Sequence, residues 1–360
     1  MRLHKFAFRE TKGKSEILCD MKSTVTPSFF SKSDDKITEN RNFEYQIVEP
    51  AKMRCTRQGK ADSLILLFHG LNERSWEKYY PWANYISDFT GKPVLMFPAA
   101  FHINRAPVQW SQPRIMQQFV SGEKGYEDKE RHLTFMNYAL SKRIEADPYR
   151  FYLAGRESIN NVCQILEDIR KGKHPMIDEN ASVNIFAYSI GALLAQVLLF
   201  ANPGNYFTTS RLFMFCGGSV FNQMNGDSRM IMDRNSFREM VRYYTNNFIY
   251  FKDEKRLKGD LLEHAFICHI DQSLYREQRE YFYRESSPRI RAIALKNDKV
   301  IPTTGIMAAL GEEHEKCLEE LDFPFRYSHE APFGVGEQPV RMQEDVWFRR
   351  VFTKASEFLG

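Results

Sequence analysis

The sequence lacks several features that would point to a partner or a compartment. Its 50 Lys and Arg residues nearly balance its 46 Asp and Glu residues, so the formal net charge is only +4. A protein that binds nucleic acid concentrates basic residues on one face, and we therefore predict no nucleic-acid partner. No stretch approaches the length of a membrane span, and the N-terminal residues have no apolar core of a secretory signal. These absences predict a cytoplasmic protein without a membrane span.

The sequence also has little that would hold a metal ion. Its 6 cysteines are scattered, with no C-x-x-C pair, which favours small buried thiols in a reducing compartment over disulfides or a zinc site. His264 and His269 flank Cys268, and His314 lies in an acidic stretch, but none of them has the spacing of a ligand set. We predict neither a metal site nor a cofactor.

What the chain does have is a regular alternation of apolar runs and helical patterns. The 360 residues, 43% of them hydrophobic, suffice for one large core. Short apolar runs, typical of strands buried on both faces, recur at 64–68, 94–97, 183–186, 212–215 and 290–295. Helical or loop material separates them, which predicts an α/β fold with a doubly wound, mostly parallel sheet.

Three segments of different character divide the chain. Residues 1–60 are polar with two short strand-like runs, and we expect them to be an N-terminal extension at the edge of the core. Residues 61–218 and 288–360 carry the alternating pattern of the core itself. Between these two parts, residues 219–287 have an amphipathic stripe and no clear buried strand, which predicts a helical insertion.

The strongest catalytic signal is Ser189, which stands between an apolar strand and an apolar helix. Ala187 and Gly191 lie two residues before and after it, giving the pattern small-x-Ser-x-small. A nucleophile elbow needs this pattern, because the tight turn brings the flanking backbones close together and projects the serine hydroxyl beyond the sheet. The alternative is a surface serine at an ordinary turn from strand to helix. The flanking strand and helix favour the elbow.

A serine nucleophile needs a base, and the base needs an acid that orients it. His329 follows a strand-like run at 323–326, and catalytic groups gather at the carboxyl edge of an open α/β sheet. Asp298 follows the preceding strand, which completes the chain order Ser…Asp…His. Glu330 is a rival acid, but as the neighbour of the histidine it is poorly placed to bond Nδ1. We predict His329 as general base and Asp298 as the acid that orients it.

The oxyanion formed by attack on an acyl carbon needs donors aimed at it in advance. We predict the backbone N–H of Ile190, the residue after the nucleophile, and that of Leu71, in the loop that follows the first apolar run. Other residues at this edge are expected to contact substrate, although a plain turn or a solvated loop is an alternative for them: His69, Gly70, His102 and Tyr188.

With these motifs in this order, the chain resembles the esterase/lipase-like serine branch of the α/β-hydrolase superfamily. The resemblance covers about residues 62–217 and 288–360, and it implies that residues 219–287 form a cap over the active site. The chain departs from the family pattern at Ala187, which replaces a glycine, in a longer segment at 101–180, and in its first sixty residues. The resemblance implies a serine hydrolase with a small-molecule or lipid-like acyl substrate, such as a carboxylic ester.

Two alternatives stay open at this point. The same triad serves an acyltransferase, a thioesterase or a peptidase, because the acyl-enzyme is common to all of them and the pocket decides. A hydrolase-like fold can also act as a binding module without catalysis. Such proteins usually lose a triad residue, whereas all three candidates are present here.

Overall fold

An eight-stranded sheet forms the centre of the protein in the computed structural model, which describes residues 1–11, 34–123, 125, 127–249, 260–334 and 338–360. In chain order the strands are β1 (Arg2–Arg9), β2 (Asn42–Glu49), β3 (Ala61–Phe68), β4 (Val94–Phe97), β5 (Ile177–Tyr188), β6 (Leu212–Phe215), β7 (Ile290–Leu295) and β8 (Leu318–Leu321). Their order across the sheet is β1-β2-β4-β3-β5-β6-β7-β8.

The strands from β3 to β8 run parallel to one another, and β1 and β2 extend one edge in antiparallel pairing. Side chains of the central strands, such as Ile65, Phe186 and Met214, are fully buried, as expected for strands that are covered on both faces. The sheet confirms the predicted fold class, an α/β fold with a doubly wound, mostly parallel sheet of the α/β-hydrolase type.

Helices cover both faces of the sheet. In the described residues they are α1 (Thr38–Arg41), α2 (Tyr80–Thr90), α3 (Pro113–Ser121), α4 (Tyr138–Ala146), α5 (Tyr149–Arg170), α6 (Ile190–Ala201), α7 (Arg234–Arg242), α8 (Leu261–Cys268), α9 (Arg276–Ser286), α10 (Thr303–Leu310), α11 (His314–Cys317) and α12 (Gln338–Leu359). α2 and α12 enclose one apolar core with the sheet, whereas α5 and α6 enclose another on the opposite face. Over the described ranges, none of these helices combines the length and the apolar character that crossing a bilayer requires.

Part of the predicted N-terminal extension belongs to the sheet. β1 and β2 pair along their whole length, and β2 joins the rest of the sheet through β4. The segment before β2 is held by the buried guanidinium of Arg105, which donates to Asn40 Oδ1 at 3.0 Å and to Glu157 Oε1 at 3.0 Å. Residues 12–33 of the predicted extension lie outside the described residues.

The last strand lies earlier in the chain than the sequence predicts. β8 ends at Leu321, and residues 323–326, which were expected to be strand-like, lie in the loop that follows it. β8 is an edge strand, and its Glu319 accepts a hydrogen bond from Lys354 Nζ at 2.6 Å. The prediction for 323–326 is wrong because a short, charged edge strand lacks the apolar run that marks a central strand.

The segment predicted as a helical insertion is largely helical where it is described. α7, a π-helical turn at Tyr243–Phe248, α8 and α9 all lie between β6 and β7. α7 packs against α4, and α8 packs against α6. Residues 250–259 of the predicted cap lie outside the described residues.

No cysteine in the described part of the chain lies in a disulfide. Cys216, Cys268 and Cys317 are buried, as the sequence predicts. Cys55 is exposed, so the prediction of a buried thiol is wrong there, because Cys55 lies at the surface in a short antiparallel bridge to Ala61, the first residue of β3.

Candidate active site

Ser189 stands at a sharp turn between β5 and α6. Its backbone has φ 56° and ψ −128°, a left-handed conformation that crowds any residue with a Cβ atom. A Cβ at Gly191 would lie 2.7 Å from the carbonyl oxygen of His69 and 2.8 Å from that of Phe68. The end of β3 therefore passes directly over the first turn of α6, and a side chain at position 191 does not fit without a shift of the backbone.

Gly217 is a second glycine on which this turn depends, and the sequence reasoning missed it. A Cβ at this position, just after β6, would lie 2.7 Å from the carbonyl oxygen of Ser189 and 3.0 Å from its backbone nitrogen. The close approach of the two backbones leaves no space for a side chain. The signal that could have revealed it is the pair Gly217-Gly218 directly after an apolar run.

Three side chains that are far apart in the sequence form a continuous hydrogen-bonded chain. Ser189 Oγ lies 2.6 Å from His329 Nε2, and His329 Nδ1 lies 2.7 Å from Asp298 Oδ2. The residues come from the start of α6, from the loop after β8 and from the loop after β7. All three are buried, with 4% of Ser189, 4% of His329 and 6% of Asp298 exposed. The structure thus brings the three predicted triad residues together at one edge of the sheet.

The carboxylate of Asp298 is held from both sides. Its Oδ1 accepts hydrogen bonds from the backbone N–H groups of Val300 at 2.8 Å and Ile301 at 2.9 Å. Its Oδ2 is the oxygen that faces His329. Because the loop amides occupy one oxygen, the other is directed at the imidazole.

Tyr188 contacts both the backbone and the ring of His329. Its hydroxyl donates a short hydrogen bond to the carbonyl oxygen of His329, and its ring stacks on the imidazole with centroids 5.5 Å apart. Lys78 also contacts Tyr188, with its Nζ 4.7 Å from the centre of the Tyr188 ring. The same Nζ donates a hydrogen bond of 3.2 Å to the carbonyl oxygen of Glu330, the residue after His329. Tyr188 is 1% exposed, and these contacts make it a residue that positions the His329 loop. Its contact with substrate stays a prediction.

His69 holds the loop after β3 through both ring nitrogens. Nδ1 lies 2.7 Å from the carbonyl oxygen of Gly70, and Nε2 accepts the backbone N–H of Ala99 at 2.9 Å, so the proton is assigned to Nδ1. Burial lowers the pKa of His69 to about 4, which keeps the ring neutral at neutral pH. The carbonyl of one residue and the N–H of the next point in opposite directions across a trans peptide. Binding the Gly70 carbonyl therefore turns the Leu71 N–H away from His69.

The predicted oxyanion donors lie beside the nucleophile. Leu71 and Ile190 line a cavity together with Ser189, and its volume, including the part open to solvent, is ≈ 350 Å³. The N–H of Gly70 is used elsewhere, because it donates to the hydroxyl of Tyr79 at 2.9 Å. This leaves the next amide along the loop, that of Leu71, as the one the cavity can use, and its role as a donor stays a prediction.

A second, larger cavity adjoins the first. Its volume, including the part that is open to solvent, is ≈ 770 Å³, and it shares Leu71, Phe151 and Ile190 with the cavity at Ser189. His69 and His102 both line it, but His102 Nδ1 lies 2.8 Å from the carbonyl oxygen of Ala100, and burial lowers its pKa to about 3. The histidines thus contribute neutral rings to the wall of a mainly apolar space. In the described part of the chain, no group of three or more His, Cys, Asp and Glu residues is arranged to hold a metal ion.

Comparison with solved structures finds esterases of low sequence identity. The esterase domain of a Rhodothermus marinus protein is 9% identical, with TM-score 0.44 and coverage of 100% of this chain and 100% of that chain. Carboxyl esterase 2 from the fungus Tuber melanosporum is 11% identical, with TM-score 0.46 and coverage of 89% and 82%. A thermostable esterase from Pseudomonas putida is 11% identical, with TM-score 0.40 and coverage of 89% and 80%. The comparison with curated proteins gives no match.

One family model covers nearly the whole chain. It matches residues 9–360, from the end of β1 through the three candidate triad residues to the last residue of the sequence. Its description is a family of unknown function, DUF6051, and this protein belongs to that family.

Proposed function

We propose that the protein is a serine hydrolase of the esterase/lipase-like branch of the α/β-hydrolase superfamily, acting on a carboxylic ester or a related acyl compound. The observation that carries the proposal is the unbroken hydrogen-bond chain from Ser189 Oγ through His329 to Asp298. A serine hydroxyl is a weak nucleophile unless a base takes its proton as it attacks, and this chain supplies such a base with a fixed tautomer.

In the first half of the reaction, Ser189 Oγ forms a bond to the acyl carbon while His329 Nε2 accepts the hydroxyl proton. The carbonyl oxygen becomes an oxyanion, which the N–H groups of Leu71 and Ile190 stabilise in the cavity beside Ser189. Collapse of this intermediate breaks the bond to the alkoxy oxygen. His329 passes its proton to that oxygen, the alcohol leaves, and the acyl group remains on Ser189.

In the second half, water replaces the alcohol. His329 takes a proton from water as the oxygen attacks the acyl carbon, and the same two amides hold the second oxyanion. When the bond to Ser189 Oγ breaks, His329 returns the proton to the serine. The net reaction consumes one ester and one water, and it releases one alcohol and one carboxylic acid. Asp298 stays ionised throughout and stabilises the imidazolium that forms in each half.

Covalent labelling with a small alkyl fluorophosphonate tests this proposal. We expect the wild-type protein to gain one adduct, on the peptide that contains Ser189, and the Ser189→Ala variant to gain none, because only an activated serine displaces fluoride from phosphorus at a useful rate. Ser121→Ala, at an exposed helix end, is the matched control and should label like the wild type. Intact-protein mass spectrometry gives the readout.

Two results would contradict the proposal. One is a folded wild-type protein that fails to label, which would favour a binding module without catalysis. The other is equal labelling of the wild type and the Ser189→Ala variant, which would place any reactive serine elsewhere in the chain.

A further inference from the structure

The larger cavity beside the candidate active site has no assigned occupant. We propose that it is an acyl pocket and that the substrate is an ester of an unbranched acyl chain of about eight carbons. This inference rests on the proposed serine hydrolase and adds the class of its substrate. The cavity lies between α5, α6 and α8, directly beside the residues that flank Ser189.

The atoms that line this cavity are mostly carbon, which suits an apolar chain. Its apolar side chains come from strand ends and helices on several sides, among them Phe97, Phe151, Ile159, Leu194, Val197 and Phe266. The polar groups in the wall are largely occupied by the protein. Ser158 Oγ accepts the N–H of Ala100 at 2.9 Å and donates to the carbonyl of Ala154 at 2.7 Å, and Arg156 is paired with Asp260. A polar ligand would therefore lose its hydration without regaining hydrogen bonds, whereas an alkyl chain gains from burial.

The position of His329 decides which part of the ester enters this cavity. The leaving alcohol must receive its proton from His329, so it has to lie on the histidine's side of Ser189. The smaller cavity contains Val300 and Ile301, from the same loop as Asp298. The residues that line the larger cavity come from the ends of β3 and β4 and from α5, α6 and α8, on the other side. The alcohol is therefore assigned to the smaller cavity and the acyl chain to the larger one.

The length of the pocket follows from the helix that forms its wall. Residues of α6 line it from Ile190 to Val197, a rise of about 10 Å along the helix axis. The pocket begins beside the oxyanion donors, at the residues that the two cavities share. An extended chain of about eight carbons spans this distance from the acyl carbon.

Gly155 is the residue through which pocket length can be altered with least disturbance. It lies within α5 and lines the cavity, and a Cβ built on it meets no atom within 4 Å. Glycine weakens a helix relative to alanine, so nothing in helix stability favours it there. A larger side chain at this position would extend into the space assigned to the acyl chain.

Hydrolysis of p-nitrophenyl esters from acetate to dodecanoate tests the assignment. We expect kcat/KM of the wild type to rise about fourfold per methylene and to level off near octanoate. Gly155→Leu should lower kcat/KM on octanoate by about 50-fold and leave acetate within about twofold, with Gly155→Ala intermediate. Leu194→Ala, which removes bulk from the opposite wall, should move the optimum to chains longer than octanoate.

A binding measurement separates failure of the pocket from failure of the enzyme. We expect calorimetry to detect octanoate binding to the wild type and not to Gly155→Leu. Identical chain-length profiles in all variants, with acetate hydrolysis that still depends on Ser189, would overturn the acyl pocket and leave the serine hydrolase standing.

If no ester is hydrolysed at all, the proposed function fails, and octanoate binding alone then decides the pocket. Binding that Gly155→Leu abolishes supports the acyl pocket, and no binding overturns it. Should Gly155→Leu not fold, the opposite shifts expected for Gly155→Ala and Leu194→Ala serve as the test.

Discussion

Replacing Asp298 by asparagine is expected to lower kcat for ester hydrolysis by about 10⁴-fold while the protein stays folded. Asparagine has the shape of aspartate, but its side chain presents one acceptor and one donor. Val300 and Ile301 both direct backbone N–H groups at one side of this position, so the amide oxygen must face them. The NH₂ group is then left facing His329 Nδ1.

The consequence of that orientation is a histidine in the wrong tautomer. With a donor opposite it, Nδ1 can only accept, so the ring proton must move to Nε2. Nε2, 2.6 Å from Ser189 Oγ, would then hold a proton already and could not take one from the serine. The substitution therefore stops His329 from acting as the base, while the hydrogen bonds from Val300 and Ile301 to residue 298 are kept.

The matched control is Glu330→Gln, which removes one negative charge from the residue next to the histidine. Glu330 Oε1 accepts a short hydrogen bond from Ser228 Oγ, and we expect this variant to keep kcat within about twofold. Steady-state kinetics on one ester, with circular dichroism to verify folding, gives both values. A large loss in Glu330→Gln together with a small loss in Asp298→Asn would make Glu330 the acid partner and overturn the assignment.

The second large effect concerns stability in mild acid. We expect the free energy of unfolding to fall by about 4 kcal/mol per pH unit near pH 5.5, as the pH decreases from 6.5 towards 4.5. Burial lowers the pKa of four histidines well below the ordinary value of 6.5: to about 4 for His69, His174 and His269 and to about 3 for His102. Each is neutral in the folded protein and takes up a proton when the chain unfolds in this range.

One buried acid acts in the opposite direction. Burial raises the pKa of Glu157 to about 7, so this residue releases a proton on unfolding near pH 5.5. The net uptake is then about three protons per molecule, and a state that binds more protons is favoured as the pH falls. Unfolding is therefore promoted by acid in the window between the folded and the unfolded pKa values of the histidines.

Urea unfolding at several pH values from 4.5 to 7 measures this slope. His174→Gln is an informative variant, because His174 lies beside Phe6 of β1, at the edge of the sheet away from Ser189. This variant should take up about one proton fewer on unfolding, which reduces the slope of stability against pH by about 1.4 kcal/mol per pH unit. Ester hydrolysis should be unchanged. A stability that stays constant or increases between pH 6.5 and 4.5 would show that these histidines are not buried in their neutral form.

The central strands could be predicted from the sequence because burial on both faces leaves an uninterrupted apolar signal. The runs at 64–68, 94–97, 183–186, 212–215 and 290–295 all fall within strands β3 to β7. Those five strands and the chain order of serine, acid and histidine were enough to place the candidate triad. β8 escaped prediction because an edge strand is covered less completely and carries charged residues.

The supporting residues of the site were harder to predict, because their roles depend on contacts across long sequence separations. Tyr188 is adjacent to Ser189 in the sequence, yet its hydroxyl bonds the loop of His329, 141 residues away. His69 is the first residue of the predicted oxyanion loop, but its two hydrogen bonds, to Gly70 and Ala99, depend on how β3 and β4 end side by side. A pattern of residue types can indicate which side chain reacts, whereas the groups that aim it depend on packing.

The backbone angle at Ser189 also bears on any attempt to make this protein more heat-resistant. Glycine adopts a φ of 56° without penalty, whereas a residue with a Cβ loses about 1–3 kcal/mol in such a conformation. A laboratory selection for thermal tolerance alone would therefore favour variants in which Ser189 is replaced by glycine. Such variants lose the backbone strain, but they also lose the nucleophile. Libraries built on this scaffold need a turnover screen beside the heat step, since here the most robust variant and the most useful one are different molecules.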